Sequence, residues 1–150
     1  MYKYKEKLHD MICTAIKFLD MSIPVEISNN HAIDLELCRM NTYICNIYNT
    51  YHCIDNIGRI GKILVALKLC NNFVDFMLDI RDERQIQYET YDNKDLTDNQ
   101  FRLLIIEEFG EMVKAWNDYT LLQKDTLPEF KKEAIQFCAL VLQYLERIVD

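Results

Sequence analysis

The chain is poor in the residues that build tight turns. Of its 150 residues, only three are glycine and two are proline, whereas half are hydrophobic. A sheet of many short strands needs turn residues at each reversal, so this scarcity disfavours such a sheet. The composition therefore predicts an all-α protein built from long helices.

The sequence also lacks a basic cluster and a long apolar run. Its formal net charge is -7 and its pI is near 5.0, whereas neutralising the phosphates of a nucleic acid needs grouped lysine and arginine. No window approaches the ~20 apolar residues that span a membrane, and Met1–Cys13 has no apolar core of the signal-peptide type. We expect a soluble, cytoplasmic protein that binds neither nucleic acid nor membranes.

The cysteines form no CxxC pair. They stand singly inside apolar stretches, at Cys13, Cys38, Cys45, Cys53, Cys70 and Cys138. This distribution is typical of small buried side chains in a reducing compartment, and it disfavours a disulfide framework.

Apolar residues that recur at three- and four-residue steps predict about five helices in a single all-α domain, residues 1–150. The predicted helices are Tyr4–Met21, His31 or Ala32 through Cys53, Ile60–Gln87, Asn99–Leu122 and Pro128–Ile148. A break is expected at Asp55–Gly58, where glycine can supply a left-handed cap, and a polar loop is expected at Tyr88–Asn99. If the chain divides, the boundary lies near Gly58–Gly61, between additional N-terminal helices (1–58) and a bundle (60–150).

The last two predicted helices should pack antiparallel, because the connection between them is short. Thr97 or Asp98 is the expected N-cap of the first, and Thr126 or a neighbour that of the second, with Pro128 in its first turn. Apolar residues run nearly all round the last helix, which is more than one core-facing stripe requires. This excess predicts a homodimer.

Three glutamates crowd one stripe of the fourth predicted helix. Glu107, Glu108 and Glu111 lie within the apolar-periodic run Leu103–Asp118, and the 3.6-residue repeat places them on one side. Like charges at this spacing destabilise a helix by about 0.2–0.5 kcal/mol per pair, so the arrangement indicates a bound cation or a basic partner. Glu133 on the last helix can face them, and carboxylate oxygens of this kind suit Mg²⁺.

The run Glu107–Glu111 (EEFGE), followed by Lys114-Ala115, resembles the EExxE motif of the all-α nucleoside triphosphate pyrophosphohydrolases of the MazG and dimeric dUTPase superfamily. Upstream, Asp82–Gln87 resembles the ER..Q element of the small phage-type branch. Tyr91-Asp92 stands where that branch usually has an aromatic-glycine pair.

Downstream, Glu133–Gln136 falls at the superfamily's ExxD position, with Gln136 in place of the aspartate, and Gln136–Arg147 is similar to the last helix of the phage-type branch. The resemblance covers roughly Asp79–Ile148 and does not reach Met1–Gly61.

The resemblance implies Mg²⁺-dependent hydrolysis of a nucleoside triphosphate to a monophosphate and pyrophosphate, with Mn²⁺ as a possible substitute, by a homodimer. It implies that the metal ligands are Glu107, Glu108, Glu111 and Glu133, with Glu108 and Glu111 catalytic. The candidates for contact with the nucleotide are Arg84, Lys114, Gln136, Tyr91, Trp116 and Tyr119.

Two alternatives remain open at the level of the sequence. In the first, Gln136 weakens the metal site, and the protein binds or sequesters a nucleotide without hydrolysing it. In the second, the glutamates form a solvated face and the chain is a helical interaction protein. Metal-dependent release of pyrophosphate separates the enzyme from both alternatives.

Overall fold

The computed structural model describes residues 10, 12–17, 27, 29–44, 50–90 and 95–148. Residues 12–17 are helical and form α1, which falls within the first predicted helix. The remaining helices are α2 (Asn30–Ile44), α3 (Thr50–Ala66), α4 (Phe73–Thr90), α5 (Asp98–Thr120) and α6 (Leu127–Ile148). The described ranges contain no strand, which confirms the all-α prediction, and none of their helices is long and apolar enough to cross a membrane.

α6 is the central helix of the bundle. It packs against α5, α4 and α3, while α2 contacts α3 and α5. Side chains on nearly every side of α6 are buried, including Phe130, Ala134, Phe137, Val141, Tyr144 and Leu145. The apolar perimeter that predicted a dimer is thus covered within one chain, and it no longer indicates self-association.

α5 and α6 pack antiparallel through a ladder of aromatic rings. The ring centroids are 5.4, 5.8 and 5.5 Å apart in the pairs Trp116–Phe130, Phe109–Phe137 and Phe101–Tyr144. As the residue number falls along α5 it rises along α6, which confirms the predicted antiparallel pair. Each such ring pair contributes about 0.5–1.5 kcal/mol beyond its buried area, so the ladder fixes the register of the two helices.

The start of α5 is fixed by a capping box. The Thr97 hydroxyl accepts a hydrogen bond from the Gln100 backbone N–H at 3.2 Å, and Gln100 Oε1 accepts one from the Thr97 backbone N–H at 2.8 Å. Thr97 is therefore the N-cap, as predicted. The polar loop before it is shorter than predicted, because α4 continues to Thr90.

The break predicted at Asp55–Gly58 is wrong, because these residues lie inside α3. Asp55 Oδ2 accepts a hydrogen bond from Arg59 Nε at 2.8 Å, and the same guanidinium donates to buried Glu36 of α2. Cys53 also belongs to α3, since α2 ends at Ile44. Polar side chains that resembled turn residues in sequence thus join two helices instead.

The predicted helix Ile60–Gln87 is interrupted at residues 67–72. Lys68 adopts a left-handed φ of 59°, and its backbone N–H donates to the Val65 carbonyl at 3.0 Å. The Leu69 N–H donates to the Leu64 carbonyl at 2.9 Å. These two bonds form a Schellman motif, which usually ends in glycine. The sequence concealed this helix end because lysine occupies the left-handed position.

Gly61 permits the close packing of α3 on α4. A Cβ built on Gly61 would lie 2.7 Å from the Phe73 ring and 2.8 Å from the Phe76 ring. Real Cβ atoms do not approach rings so closely, and Phe76 is fully buried. The glycine that sequence reasoning assigned to a domain boundary is therefore a helix-packing contact.

The five described cysteines are free thiols, and one of them departs from prediction. Cys53, Cys70 and Cys138 are buried, and burial raises the pKa of Cys53 to about 12. Cys38 is exposed. Cys45 lies outside the described residues.

Candidate metal centre

Three glutamates from two helices converge at one point. Glu108 and Glu111 of α5 and Glu133 of α6 each contribute one carboxylate oxygen to a group in which all three atoms lie within 4.8 Å of one another. Glu133 is only 9% exposed, Glu108 is half-buried and Glu111 is exposed. The cluster is therefore closed on the α6 side and open to solvent at Glu111.

The register of α5 on α6 brings these residues together. Phe109 packs against Phe137 at a centroid separation of 5.8 Å. Glu108 directly precedes Phe109, and Glu133 lies one helical turn before Phe137 on the same side of α6. The aromatic pair therefore holds the two carboxylates against each other.

Burial is the largest cause of the altered acidity of Glu108. Burial and then the negative charges of Glu111, Glu107 and Glu83, in that order of size, together raise the pKa of this carboxyl to about 7. Desolvation and like charges both disfavour the ionised form. Glu108 is therefore poised to exchange its proton for a cation near neutral pH.

Glu133 is perturbed in the same direction. Burial, then contacts with the carboxyl groups of Glu129 and Glu111, then the charge of Glu108, together raise its pKa to about 7. Desolvation and neighbouring carboxylates both favour the protonated form of Glu133.

Two oxygens of the cluster are buried without a partner. Within the described part of the chain, Glu108 Oε2 and Glu133 Oε2 have no hydrogen-bond partner. Lys114 of α5 lies 3.2 Å from Asp118, and Lys131 of α6 lies 3.4 Å from Asp79. An unsatisfied buried acceptor costs about 1–3 kcal/mol, more when charged. Hard, crowded carboxylate oxygens of this kind fit Mg²⁺ or Mn²⁺.

Two of the predicted site residues on α5 lie beside the cluster rather than in it. Glu107 is exposed and does not contribute one of the three converging oxygens, although its charge acts on Glu108. The Lys114 ammonium is largely exposed and lies 3.2 Å from Asp118 Oδ2. Its predicted contact with phosphate stays a prediction.

Arg84, a predicted phosphate contact, is turned into the protein interior. It is only 4% exposed, and its Nε and Nη2 donate to Glu146 Oε2 at 3.2 and 2.9 Å. A buried guanidinium held in this way joins α4 to the end of α6, so the structure favours a structural role for it.

Trp116, a predicted stacking residue, is also used in packing. It is 1% exposed, its ring contacts Phe130 and Tyr119, and its Nε1 donates to Asp34 Oδ1 of α2 at 2.7 Å. This hydrogen bond links α2 to α5. Because the Trp116 ring is buried, the structure does not support its predicted stacking on a base. Tyr91 lies outside the described residues.

Gln136 lies one turn after Glu133 on α6 and is half-buried. Its backbone carbonyl accepts a hydrogen bond from Gln87 Nε2 at 3.3 Å. This contact places α4 against the segment of α6 that carries Glu133.

Sequence reasoning missed two acidic residues that act on the cluster. Glu129 lies one helical turn before Glu133, so the four-residue spacing was the available signal. Glu83 is half-buried on α4 and adds negative charge near Glu108. It belongs to the ER..Q element, but nothing in its spacing indicated that it faces α5.

A separate cleft of about 410 Å³ lies between α2 and α5. Its walls include Asp34, Leu37, Cys38, Val113, Trp116 and Asn117. These positions on α5 project on the flank opposite Glu108 and Glu111. The cleft is therefore distinct from the carboxylate cluster.

Comparison with known proteins gives no match: no family model fits the chain, and no curated protein or solved structure is similar to it. The resemblance to the MazG and dimeric dUTPase superfamily therefore rests on the sequence motifs alone.

Proposed function

We propose that the chain is a Mg²⁺-dependent nucleoside triphosphate pyrophosphohydrolase, which converts a nucleoside triphosphate to a monophosphate and pyrophosphate. The observation that supports this proposal is the convergence of Glu108, Glu111 and Glu133, two of which keep a buried oxygen without a partner. The EEFGE run that supplies Glu108 and Glu111 is also the run that resembles the superfamily motif.

The three glutamates differ in exposure, and we assign their roles at the metal ion accordingly. Glu133 and Glu108, the more buried pair, would hold the ion, and exposed Glu111 would complete its coordination on the side where substrate arrives. A bound Mg²⁺ supplies positive charge that offsets the charge on the phosphates, and it makes water a better nucleophile. The bare carboxylates repel a triphosphate, so substrate would enter as its Mg²⁺ complex.

The same resemblance carries the proposal of a homodimer. Leu103 and Ile106, one turn apart on α5, are 65% and 39% exposed and offer an apolar contact. Light scattering at micromolar concentration should show a dimer. A monomer alone at that concentration would remove this part of the proposal.

A panel of ribo- and deoxyribonucleoside triphosphates, each incubated with Mg²⁺ or Mn²⁺, tests the activity. Pyrophosphate should appear with at least one substrate and should be absent in the presence of a chelator. If no triphosphate is cleaved but one of them raises the melting temperature, a nucleotide-binding protein is favoured, because a ligand that binds only the native state stabilises it. If neither occurs, the interaction-protein reading is favoured.

A further inference from the structure

Two contacts fix how α4 lies along the first half of α6. Asp79 Oδ2 is 3.4 Å from Lys131 Nζ, and Gln87 Nε2 donates to the Gln136 carbonyl at 3.3 Å. Asp79, Glu83 and Gln87 follow one another at four-residue steps, so they share one stripe of α4. The contacts at the two ends of the stripe therefore place Glu83 beside the α6 segment between Lys131 and Gln136. That segment contains Glu133.

The electrostatics of the region agree with this placement. Burial raises the pKa of Glu83, and the charge of Lys132 on α6 lowers it. The charge of Glu83 in turn contributes to the raised pKa of Glu108 on α5. Glu83 therefore interacts electrostatically with charged groups on both α5 and α6.

Glu83 is not a member of the converging group. In the part of the chain that the structure describes, the oxygens within 4.8 Å of one another come from Glu108, Glu111 and Glu133. Mg²⁺ usually keeps several waters of its shell when it binds to protein carboxylates. A carboxylate slightly farther away can accept hydrogen bonds from those waters, and such partners strongly affect metal affinity.

A second observation points to a ligand at this place. Glu133 is 9% exposed, and its Oε2 has no hydrogen-bond partner among the described residues. This oxygen belongs to the α6 residue that converges with Glu108 and Glu111. The carboxylates that converge here come from α5 and α6, and the charge of Glu83 on α4 acts on one of them, Glu108.

We propose that Glu83 is a positioning residue of the metal centre, which accepts a hydrogen bond from the hydration shell of an ion held by Glu108, Glu111 and Glu133. This inference rests on the metal site of the proposed function but not on hydrolysis. It makes the centre a junction of three helices, so that a bound ion restrains α4 as well as the α5–α6 pair.

Mn²⁺ binding to the full chain tests the proposal without reference to activity. The free ion is measured by electron paramagnetic resonance as Mn²⁺ is titrated into the protein. The Glu83→Gln variant should bind Mn²⁺ roughly tenfold to a hundredfold more weakly than the parent. Its melting temperature without metal should not fall, because the substitution removes a repulsive charge.

Asp82→Asn is the matched control. Asp82 is the preceding residue, carries the same charge, is exposed and lies 3.5 Å from Arg81. Its replacement should leave Mn²⁺ affinity unchanged. Glu83→Ala is measured in parallel, so that the result does not depend on one folded variant.

The possible outcomes distinguish a failure of the role of Glu83 from a failure of the metal site itself. Parental affinity in Glu83→Gln and Glu83→Ala would overturn the role of Glu83 and leave the three-glutamate site standing. Equal weakening in Glu83→Gln and Asp82→Asn would reduce the effect to long-range charge and overturn it as well. Loss of the folded state in both Glu83 variants would assign the residue a structural role. If the parent itself binds no Mn²⁺, the metal site of the proposed function fails.

Discussion

Glu108 and Glu133 reach each other from two different helices and bring carboxylate oxygens to within 4.8 Å. Burial is the first cause that raises the pKa of each to about 7. Each keeps one buried oxygen without a partner among the described residues. A cation bound by this pair would compete with protons near neutral pH, so the proposed metal site predicts that affinity and stability depend on pH.

The metal-free protein should lose stability as the pH rises from about 4.5 to about 7. The ordinary pKa of a glutamate is 4.5 and that of Glu133 in the folded protein is about 7, so the folded state holds a proton that the unfolded state has released. Stability falls wherever the folded state binds more protons. Urea unfolding at pH 5 and pH 8, in the presence of a chelator, measures the loss.

Glu133→Gln is the control for this pH effect, because an amide of similar shape does not titrate. The variant should lose less stability than the parent between pH 5 and pH 8. An identical loss in both proteins would show that Glu133 has an ordinary acidity.

Divalent ions should stabilise the protein more at pH 8 than at pH 5. At the lower pH the cluster carries protons, which the ion must displace, whereas at the higher pH the carboxylates are ionised and repel one another until an ion binds. The rise in melting temperature on adding Mg²⁺ or Mn²⁺ measures the difference, and chelation at pH 8 should reverse it. An equal rise at both pH values would indicate binding elsewhere.

Gln136→Asp should tighten metal binding. Gln136 lies one turn after Glu133 and is half-buried beside the centre, and an added carboxylate is a stronger ligand for a hard cation than an amide. Mn²⁺ titration of the variant measures the affinity, with the metal-free melting temperature expected to fall because another like charge is added. Unchanged affinity would place position 136 outside the reach of the ion.

Two of the three helical glycines, Gly61 and Gly110, should respond to alanine with opposite signs. Gly61→Ala places a Cβ within 2.7–2.9 Å of the Phe73 and Phe76 rings, and should destabilise the fold by roughly 1–3 kcal/mol. Gly110→Ala meets no atom within 4 Å on the exposed side of α5, and should stabilise it by about 0.5–1 kcal/mol through helix propensity. Urea unfolding measures both. Equal effects would contradict the packing of α3 on α4.

Local signals predicted the C-terminal helices well. The Thr97 cap and the apolar period of α5 and α6 depend on residues close in sequence. The α3–α4 region was misread because its decisive contacts are tertiary. Lys68 adopts a left-handed conformation although it is not a glycine. Arg59 pairs both with Asp55 and with Glu36 of α2, so the polar residues there lie inside a helix and not in a turn.

For the candidate site, too, the sequence predicted what depends on local spacing and missed what depends on tertiary packing. Helical spacing grouped Glu108 with Glu111, and a short connection suggested that Glu133 faces them. Spacing alone gave no indication that Glu107 points to solvent, because that depends on where α6 packs. The buried bond from Arg84 to Glu146, and the approach of Glu83, both depend on α4 lying along α6.

Replacement of Glu111 best distinguishes an effect on catalysis from an effect on stability. Glu111 is the exposed member of the cluster, so Glu111→Gln removes a ligand and a like charge at little cost in packing. The metal-free variant should melt no lower than the metal-free parent. Glu107→Gln, one turn away and outside the converging oxygens, is the matched control for charge.

Phosphorus NMR of the products formed from nucleoside triphosphates with Mg²⁺ tests the proposed activity most directly. The parent and Glu107→Gln should yield a monophosphate and pyrophosphate, without diphosphate or orthophosphate, and Glu111→Gln should yield neither product. Full activity in Glu111→Gln, or no cleavage of any triphosphate by the parent with any divalent ion, would contradict the assignment of a pyrophosphohydrolase centre to these glutamates.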